Sequence, residues 1–394
     1  MAHPVGLSRW LDDLASALPV LSAAQRRVLA QWCFALEETG RCATHTAAVF
    51  LGLALSCAWQ TARQRLREWY WDAEDKQGLN RREVDVRLCF APLARWVLAH
   101  WSGTRVALAM DATSLGDRFT ILTISIVYKS CAVPIAWKVL PATEKHAWNP
   151  EWVALLDLVA PAFPRDWTVL VLTDRGLYSR TLYHAIVKHH WHPFMRVNIQ
   201  GTFHPTGSDR RQRIADFVPR IGTSWASTGV AFATAENRLP CTLLACWEAG
   251  YEHPWCILTD LAPQQCSVAW YGLRSWIEHG FRTNKRGFWH WEHTRMTDPA
   301  RAERVWLPMA LCTFQLLALG DAVEQDASLP IWGATVPALA GRRATRLVRL
   351  GWLALRAAHA AAAPLPHRLA LSPDPWPDLP LPAALTHPTT RAVA

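Results

Sequence analysis

The chain has 394 residues, 51% of them hydrophobic and 19% charged. It is longer than one core usually serves and too apolar for a disordered chain, so two or three folded domains are expected. Its 41 Lys and Arg against 32 Asp and Glu leave a net charge of +9, which points to a polyanionic partner, nucleic acid before an anionic membrane surface. Twenty-three tryptophans stand against six tyrosines; indole fills cores and also stacks on unpaired bases.

The ten cysteines include no C-x-x-C pair, which argues against structural zinc and, at this length, against a disulfide framework. The opening MAHPVGLSRWLDD carries acids where a secretory signal needs an apolar run. The apolar stretches at 46–59 and 306–320 read as too short to cross a bilayer. A cytoplasmic chain without a membrane segment is expected.

Residues 1–102 read as helices only. Ser8 is placed as the cap of a helix through Leu18, and Ser22 as the cap of a longer one stopped by Gly40. Within 44–74, two short helices around a break at Ser56–Cys57 suit a helix-turn-helix. Gln60, Arg63, Gln64 and Arg67 share one face of the second helix. Arg reads guanine and Gln reads adenine in a major groove; the alternatives are a plain bundle with a solvated basic face, or that face packed inward with its arginines on Asp72 and Glu74.

From Arg105 the pattern turns to strands: TRVALAMDAT, FTILTISIVYK and CAVPIAWKVLP, with turns at Leu115–Arg118 and Lys129–Ser130. Asn149 and Pro150 open a helix, WTVLVLTD is a continuous apolar strand, SRTLYHAIVKHH a helix and HPFMRVNI a strand. A meander followed by alternation implies a mixed α/β sheet covered by helices. Residues 199–265 are β-rich and loop-rich, helices return from Gln265 to about Lys285 and again at 306–319 and 343–362, and the Pro-rich stretch from 364 reads as a disordered tail.

Asp111 and Asp174 are read as closing apolar strands, where ligands bind in open α/β sheets, or else as turn and cap residues. Tyr271, Arg274, Glu278 and Lys285, spaced 3, 4 and 7 apart, fall in one stripe of a regular helix beside an apolar stripe of Trp270, Leu273, Ile277 and Phe281. An ordinary amphipathic helix with an Arg–Glu pair is the competing account. His189, His190 and His192 sit at a helix end and suit a dipole role. Arg342, Arg343, Arg346 and Arg349 form a basic face, solvated or in contact with DNA.

This four-residue set, preceded by MDATS around Asp111, LTDRGLYS around Asp174, FMRVN at Arg196 and WCILTD from Trp255, resembles the Tyr-Arg-Glu-Lys signature of insertion-sequence DDE transposases. The resemblance covers about 105–315. It implies an RNase H-like catalytic core at 103–198 and 266–320 with a β-rich insertion at 199–265. Around it stand a helical, DNA-binding domain at 1–102, C-terminal helices at 321–363 and the tail at 364–394.

It also implies metal-dependent cleavage of DNA at element ends and strand transfer. Asp111, Asp174 and Glu278 would be the catalytic carboxylates on two magnesium ions, with manganese as a substitute. Tyr271, Arg274, Lys285, Arg175 and Arg196 would contact phosphates, Trp255 would stack a flipped base, and Gln60, Arg63 and Gln64 would read the ends. The partners would be double-stranded terminal inverted repeats and target DNA, bound by a dimer in a bacterial, nucleoid-associated setting. A non-catalytic DNA-binding descendant and a hydrolytic nuclease of the same fold are the other readings.

Overall fold

The computed structural model describes residues 4–76, 81–146, 148–325, 345–361, 363, 365 and 369–377. The amino-terminal helices are α1 (Val5–Ala17), α2 (Ala23–Thr39), α3 (Thr44–Ala54), α4 (Trp59–Tyr70) and α5 (Phe90–Leu98). Strands β1 (Arg105–Leu115), β2 (Phe119–Tyr128) and β3 (Cys131–Pro141) follow, then α6 (Asn149–Val159), β4 (Thr168–Thr173), α7 (Arg180–Lys188) and β5 (His192–Arg196). Next come β6 (Thr202–Pro205), β7 (Gln212–Arg213), β8 (Thr223–Ala231), β9 (Leu239–Trp247) and β10 (Trp255–Thr259). Helices α8 (Trp276–Arg282), α9 (Pro299–Gln325) and α10 (Leu347–Ala360) complete the described elements. The chain divides into two compact units, Met1–Val169 with Arg274–Asp374, and Leu170–Leu273 with Pro375–Ala394.

In the first unit, local chemistry sets several boundaries. Ser22 and Gln25 form a reciprocal capping box at the start of α2, and Gly40 ends it at φ 63°. Helix α1, by contrast, begins at Val5 and not after Ser8: the Pro4 carbonyl accepts from Leu7 and Ser8 N–H, so Ser8 lies inside the helix. Strands β1, β2 and β3 are an antiparallel meander with Asp111 opposite Thr123 and Thr123 opposite Trp137. The β2–β3 turn holds Lys129 and Ser130 at φ 42° and 64°, a conformation that usually calls for Asn or Gly. The Lys129 ammonium, 8% exposed, bonds Asp321 of α9 at 2.7 Å and ties the turn down.

Helix α9 is the spine of this unit. It runs 27 residues, well beyond the expected 306–319, and by length and composition it would cross a bilayer. However, 94% of its most apolar window is buried within the protein, so it is a core helix. Its buried charges all have partners. Glu303 accepts from Val139 N–H at 2.9 Å and pairs with Lys138 at 3.1 Å, while its carbonyl accepts from Trp137 Nε1. Arg304 donates to the Val84 and Tyr70 carbonyls and pairs with Asp72 and Glu83. Trp69 at the end of α4 donates to the Arg304 carbonyl. The alternative that paired the α4 arginines with Asp72 and Glu74 does not hold for Asp72, whose partners are Arg301 and Arg304.

Helices α9 and α10 cross at glycines. A Cβ on Gly320 would lie 2.1 Å from the Leu347 carbonyl oxygen, and one on Gly351 1.8 Å from that of Leu316. Arg346 stands at the N-cap position of α10 without a side-chain capping bond and Arg349 is exposed, whereas Arg342 and Arg343 lie outside the described residues. Part of the tail expected to be disordered is packed. Leu371, 1% exposed, exchanges backbone hydrogen bonds with His100 and Ser102, and Ser372 accepts from Tyr128 Oη. One buried leucine and paired backbone are enough to seat a Pro-rich strand. The rest of the tail lies largely outside the described residues.

The second unit is a mixed sheet in the order β4-β5-β10-β9-β8-β6-β7. Strands β4 and β5 are parallel, with α7 as their crossover, and every other described pair is antiparallel. The β-rich 199–265 segment extends the sheet from β5 through Ile257 opposite Arg196 and Leu258 opposite Met195.

Two stability measurements check this account. Gly351→Ala forces the α9–α10 crossing apart and should cost about 1–3 kcal/mol in urea denaturation. Burial raises the Asp72 carboxyl, but hydrogen bonds and charge from Arg304 and Arg301 outweigh it and the net pKa is lowered. A carboxyl lowered on folding stabilises above its unfolded pKa, and that contribution is lost as pH falls through the folded one. Wild type should therefore lose stability below about pH 4 more steeply than Asp72→Asn, as read from melting temperature against pH.

Candidate active site

Asp111 is not at a strand end. The β1–β2 ladder continues to Leu115 opposite Phe119, so Asp111 sits mid-strand, where the fully buried run Val106–Met110 gives way to half-buried positions. The strand period of two puts Asp111 and Thr113 on the same face. Asp111 Oδ1 accepts from the Ala112 N–H at 2.8 Å, and Oδ2 from Arg274 Nη2 at 2.7 Å, with both side chains 15% exposed. Arg274 Nη1 also lies 3.5 Å from Glu278 Oε1, whose side chain is 62% exposed. Lys285 Nζ donates to Thr113 Oγ1 at 2.5 Å. Arg274 and Lys285 thus land two residues apart on β1.

The segment that carries them is not one regular helix. Val268–Ser275 is 3₁₀, Trp276–Arg282 is α, and Thr283–Gly287 is π. The expected 100° stripe therefore fails: Tyr271 and Arg274 lie on a tighter winding, Lys285 on a wider one. Short 3₁₀ and π stretches cost hydrogen-bond geometry and cluster at functional sites. The Thr283 carbonyl accepts from both Phe288 and Trp289 N–H, closing the wide turn. His279 Nδ1 donates to the Ser130 carbonyl at 2.7 Å, so the strained β2–β3 turn and the signature segment are tied together. A Cβ on Gly280 would lie 2.9 Å from Ala132 Cβ, so only glycine lets α8 approach β3 this closely. Burial, with Arg286 beside it, lowers the pKa of Lys285.

The second unit holds the remaining predicted residues of this region. Asp174 follows β4, and its Oδ1 accepts from Gly176 and Leu177 N–H at 2.8 and 3.2 Å, the capping geometry that was the competing account of this residue. Arg175 is exposed and lines a 290 Å³ recess with Asn198 and Phe232. Arg196 donates to the Pro254 carbonyl at 3.2 Å, which bonds β5 to the entry of β10. Trp255 is half-buried between Tyr251 (4.8 Å) and Tyr271 (5.4 Å, edge-on). Tyr271 is 5% exposed. His192 pairs with Asp260 at 3.1 Å, so this histidine of the 189–192 cluster has an acidic partner.

In the amino-terminal helices, Gln60 and Arg63 are exposed, Gln64 donates to Glu68 Oε1 at 3.1 Å, and the Arg67 guanidinium lies 4.3 Å from the Trp71 ring. Sequence reasoning missed Thr113 and His279. Strand alternation from Asp111 would have found the first; nothing local marks the second, whose partner Ser130 is 149 residues away.

As a divalent-metal site, the donor chemistry of Asp111 and Glu278 fits. Both offer hard carboxylate oxygens, and Asp111 already holds a cationic group at hydrogen-bond distance. A separate grouping of Glu144, His146 and Glu151 brings ligand atoms within 4.8 Å of one another, with His146 exposed and both glutamates half-buried.

A carboxylate strand met by arginine and lysine heads, in a basic chain, is suited to a phosphodiester substrate. Residues 118–314, half the chain, match the family model of the transposase DDE domain, so the chain belongs to the DDE transposases, enzymes that cleave and transfer DNA. A search of curated proteins returns no match. Among solved structures, the chain is similar to a piggyBac transposase in a synaptic complex with hairpin DNA, at 12% identity and a TM-score of 0.43, over 93% of this chain and 81% of that one.

Removing the Arg274 guanidinium leaves the Asp111 carboxylate in a mostly buried place without it. Arg274→Ala should cost about 1–3 kcal/mol in denaturant unfolding, and Arg274→Lys should recover only part, because one ammonium does not span two carboxylates as a guanidinium fork does.

Proposed function

We propose that this transposase works by cut-and-paste, cleaving at the terminal inverted repeats of its element and joining the freed 3′ ends to target DNA. Asp111, Asp174 and Glu278 are its catalytic carboxylates. They would hold two magnesium ions, or manganese in their place, which when bound supply activation of the attacking oxygen and stabilisation of the leaving one. The observation that carries the reading is Arg274, which bonds Asp111 on β1 and lies 3.5 Å from Glu278 on α8, so two of the three acids share one cationic neighbour.

The chain's own residues divide the work. The Ala112 N–H and Arg274 fix the rotamer of Asp111, so its carboxylate is set before DNA arrives. Lys285, anchored on Thr113 and lowered in pKa, is a point charge for a phosphate beside the carboxylates. Arg175 is an exposed phosphate contact, and Arg196 a positioning residue through Pro254. Trp255 offers an indole face beside Tyr271 for an unpaired base, and Tyr271 supports that ring.

Residues 103–198 and 266–320 act as the catalytic core and 199–265 as an insertion. Residues 1–102 act as the DNA-binding domain, with the exposed Gln60 of α4 toward the element ends. Helices of 321–363 and the tail from 364 flank it. The active form is a dimer on DNA, acting on the bacterial nucleoid.

Asp111→Asn tests the reading. It removes a negative charge and keeps the shape, so cleavage of a supercoiled plasmid carrying the element ends should vanish while affinity for end duplexes in a gel-shift titration stays within about threefold. Cleavage at the wild-type rate by this variant would exclude Asp111 from the chemistry.

A further inference from the structure

A recess of 670 Å³ lies within the first unit, between helices α3 and α4 and the stretch 290–301 that follows the signature segment. Its lining is strongly basic. Arg41, Arg63 and Arg295 are exposed and have no ion-pair partner among the described residues. Arg67 lies over the Trp71 ring at 4.3 Å, and both line the recess. The one acid in the lining, Asp298, accepts from the Arg301 N–H at the start of α9, and Arg301 itself pairs with Asp72 and Asp75. Three guanidinium groups without an ion-pair partner among the described residues line a hollow with the Arg67–Trp71 cation–π pair at its wall.

We propose that this recess binds an unpaired stretch of DNA strand, with phosphates on Arg41, Arg63 and Arg295 and one base against the Arg67–Trp71 stack. Two observations select a single strand over a duplex. A recognition helix must project into a major groove, but Arg63 and Arg67 line a hollow, and Gln64 is engaged by Glu68. A hollow of this volume is of the size that takes a small ligand, far short of a B-form helix. Arginine and an aromatic ring, with no base-specific donors required, are the usual equipment for single-stranded nucleic acid. The site is formed by residues outside the carboxylate region and does not rest on the proposed cleavage chemistry.

The test uses the full-length chain in EDTA and a fluorescent oligothymidylate, with anisotropy titrations at several salt concentrations. Each phosphate neutralised on a single strand contributes about −0.7 to the slope of log affinity against log salt. The triple variant Arg41→Ala, Arg63→Ala, Arg295→Ala should therefore flatten the slope by about 2 units, with an unchanged melting temperature since all three are exposed. Trp71→Ala should weaken binding about tenfold or more, and Trp71→Phe should restore most of it. An oligonucleotide carrying 5-iodouracil should photocrosslink to peptides containing Trp71 or Arg295. An unchanged slope in the triple variant, or crosslinks confined to other peptides, overturns the proposal. So does a triple variant that loses duplex affinity alone, which would return Arg63 to duplex readout. Because Asp111→Asn leaves this recess untouched, loss of cleavage and loss of strand binding report separately.

Discussion

The contact on which the candidate site depends is the Arg274–Asp111 ion pair at 2.7 Å, with each side chain 15% exposed. A half-buried carboxylate is costly without a partner and a half-buried guanidinium equally so. Their pairing ties the 268–287 segment to β1. The second anchor is Lys285 on Thr113, eleven positions along that segment but two along the strand. Between these anchors the segment leaves the 3₁₀ winding at Ser275, runs as α-helix through Trp276–Arg282 and widens to π at Thr283–Gly287, so it is not one regular helix.

Those contacts are held from behind. Gly280 lets α8 touch β3 at Ala132, and His279 bonds the carbonyl of Ser130 in a turn of positive φ. That turn is in turn pinned by the buried Lys129–Asp321 pair to α9. Glu303 stitches the same helix to β3, and Arg304 stitches it to the end of α4. One apolar helix therefore carries three buried charged residues, each answered by a different element. Isolated, any of them would be expensive to bury; paired, they fix the register of sheet and helices around α9.

The basic residues stand in two settings that a net charge of +9 alone does not distinguish. Arg274 and Lys285 are bound to β1 and partly buried, as positioning of reacting groups requires. Arg41, Arg63 and Arg295 are exposed and face a recess, as backbone binding requires. The aromatic surplus divides likewise. Trp10, Trp32, Trp69, Trp137, Trp152, Trp289, Trp291 and Trp306 are fully buried and fill the core, while Trp71 and Trp255 remain half-exposed beside arginine and tyrosine.

By itself, the sequence determined what is local in origin. Periodicity and turn chemistry gave the strands at 119–128 and 131–141 almost to the residue. The Ser22–Gln25 capping box and Gly40 bounded α2, and a resemblance carried by several motifs together pointed to the DDE transposases, the family that the match over 118–314 showed. Tertiary structure decided the rest. It moved the start of α1 to Val5 through the Pro4 carbonyl, lengthened α9 into a buried spine, continued β1 past Asp111, and seated Leu371 of the Pro-rich tail beside His100. It also chose the partners: Thr113 for Lys285, Ser130 for His279, Arg304 for Asp72. Capping and alternation act over a few residues and are written in the local sequence. A hydrogen bond between residues more than 100 positions apart depends on how the sheet and helices pack, and no local pattern encodes it.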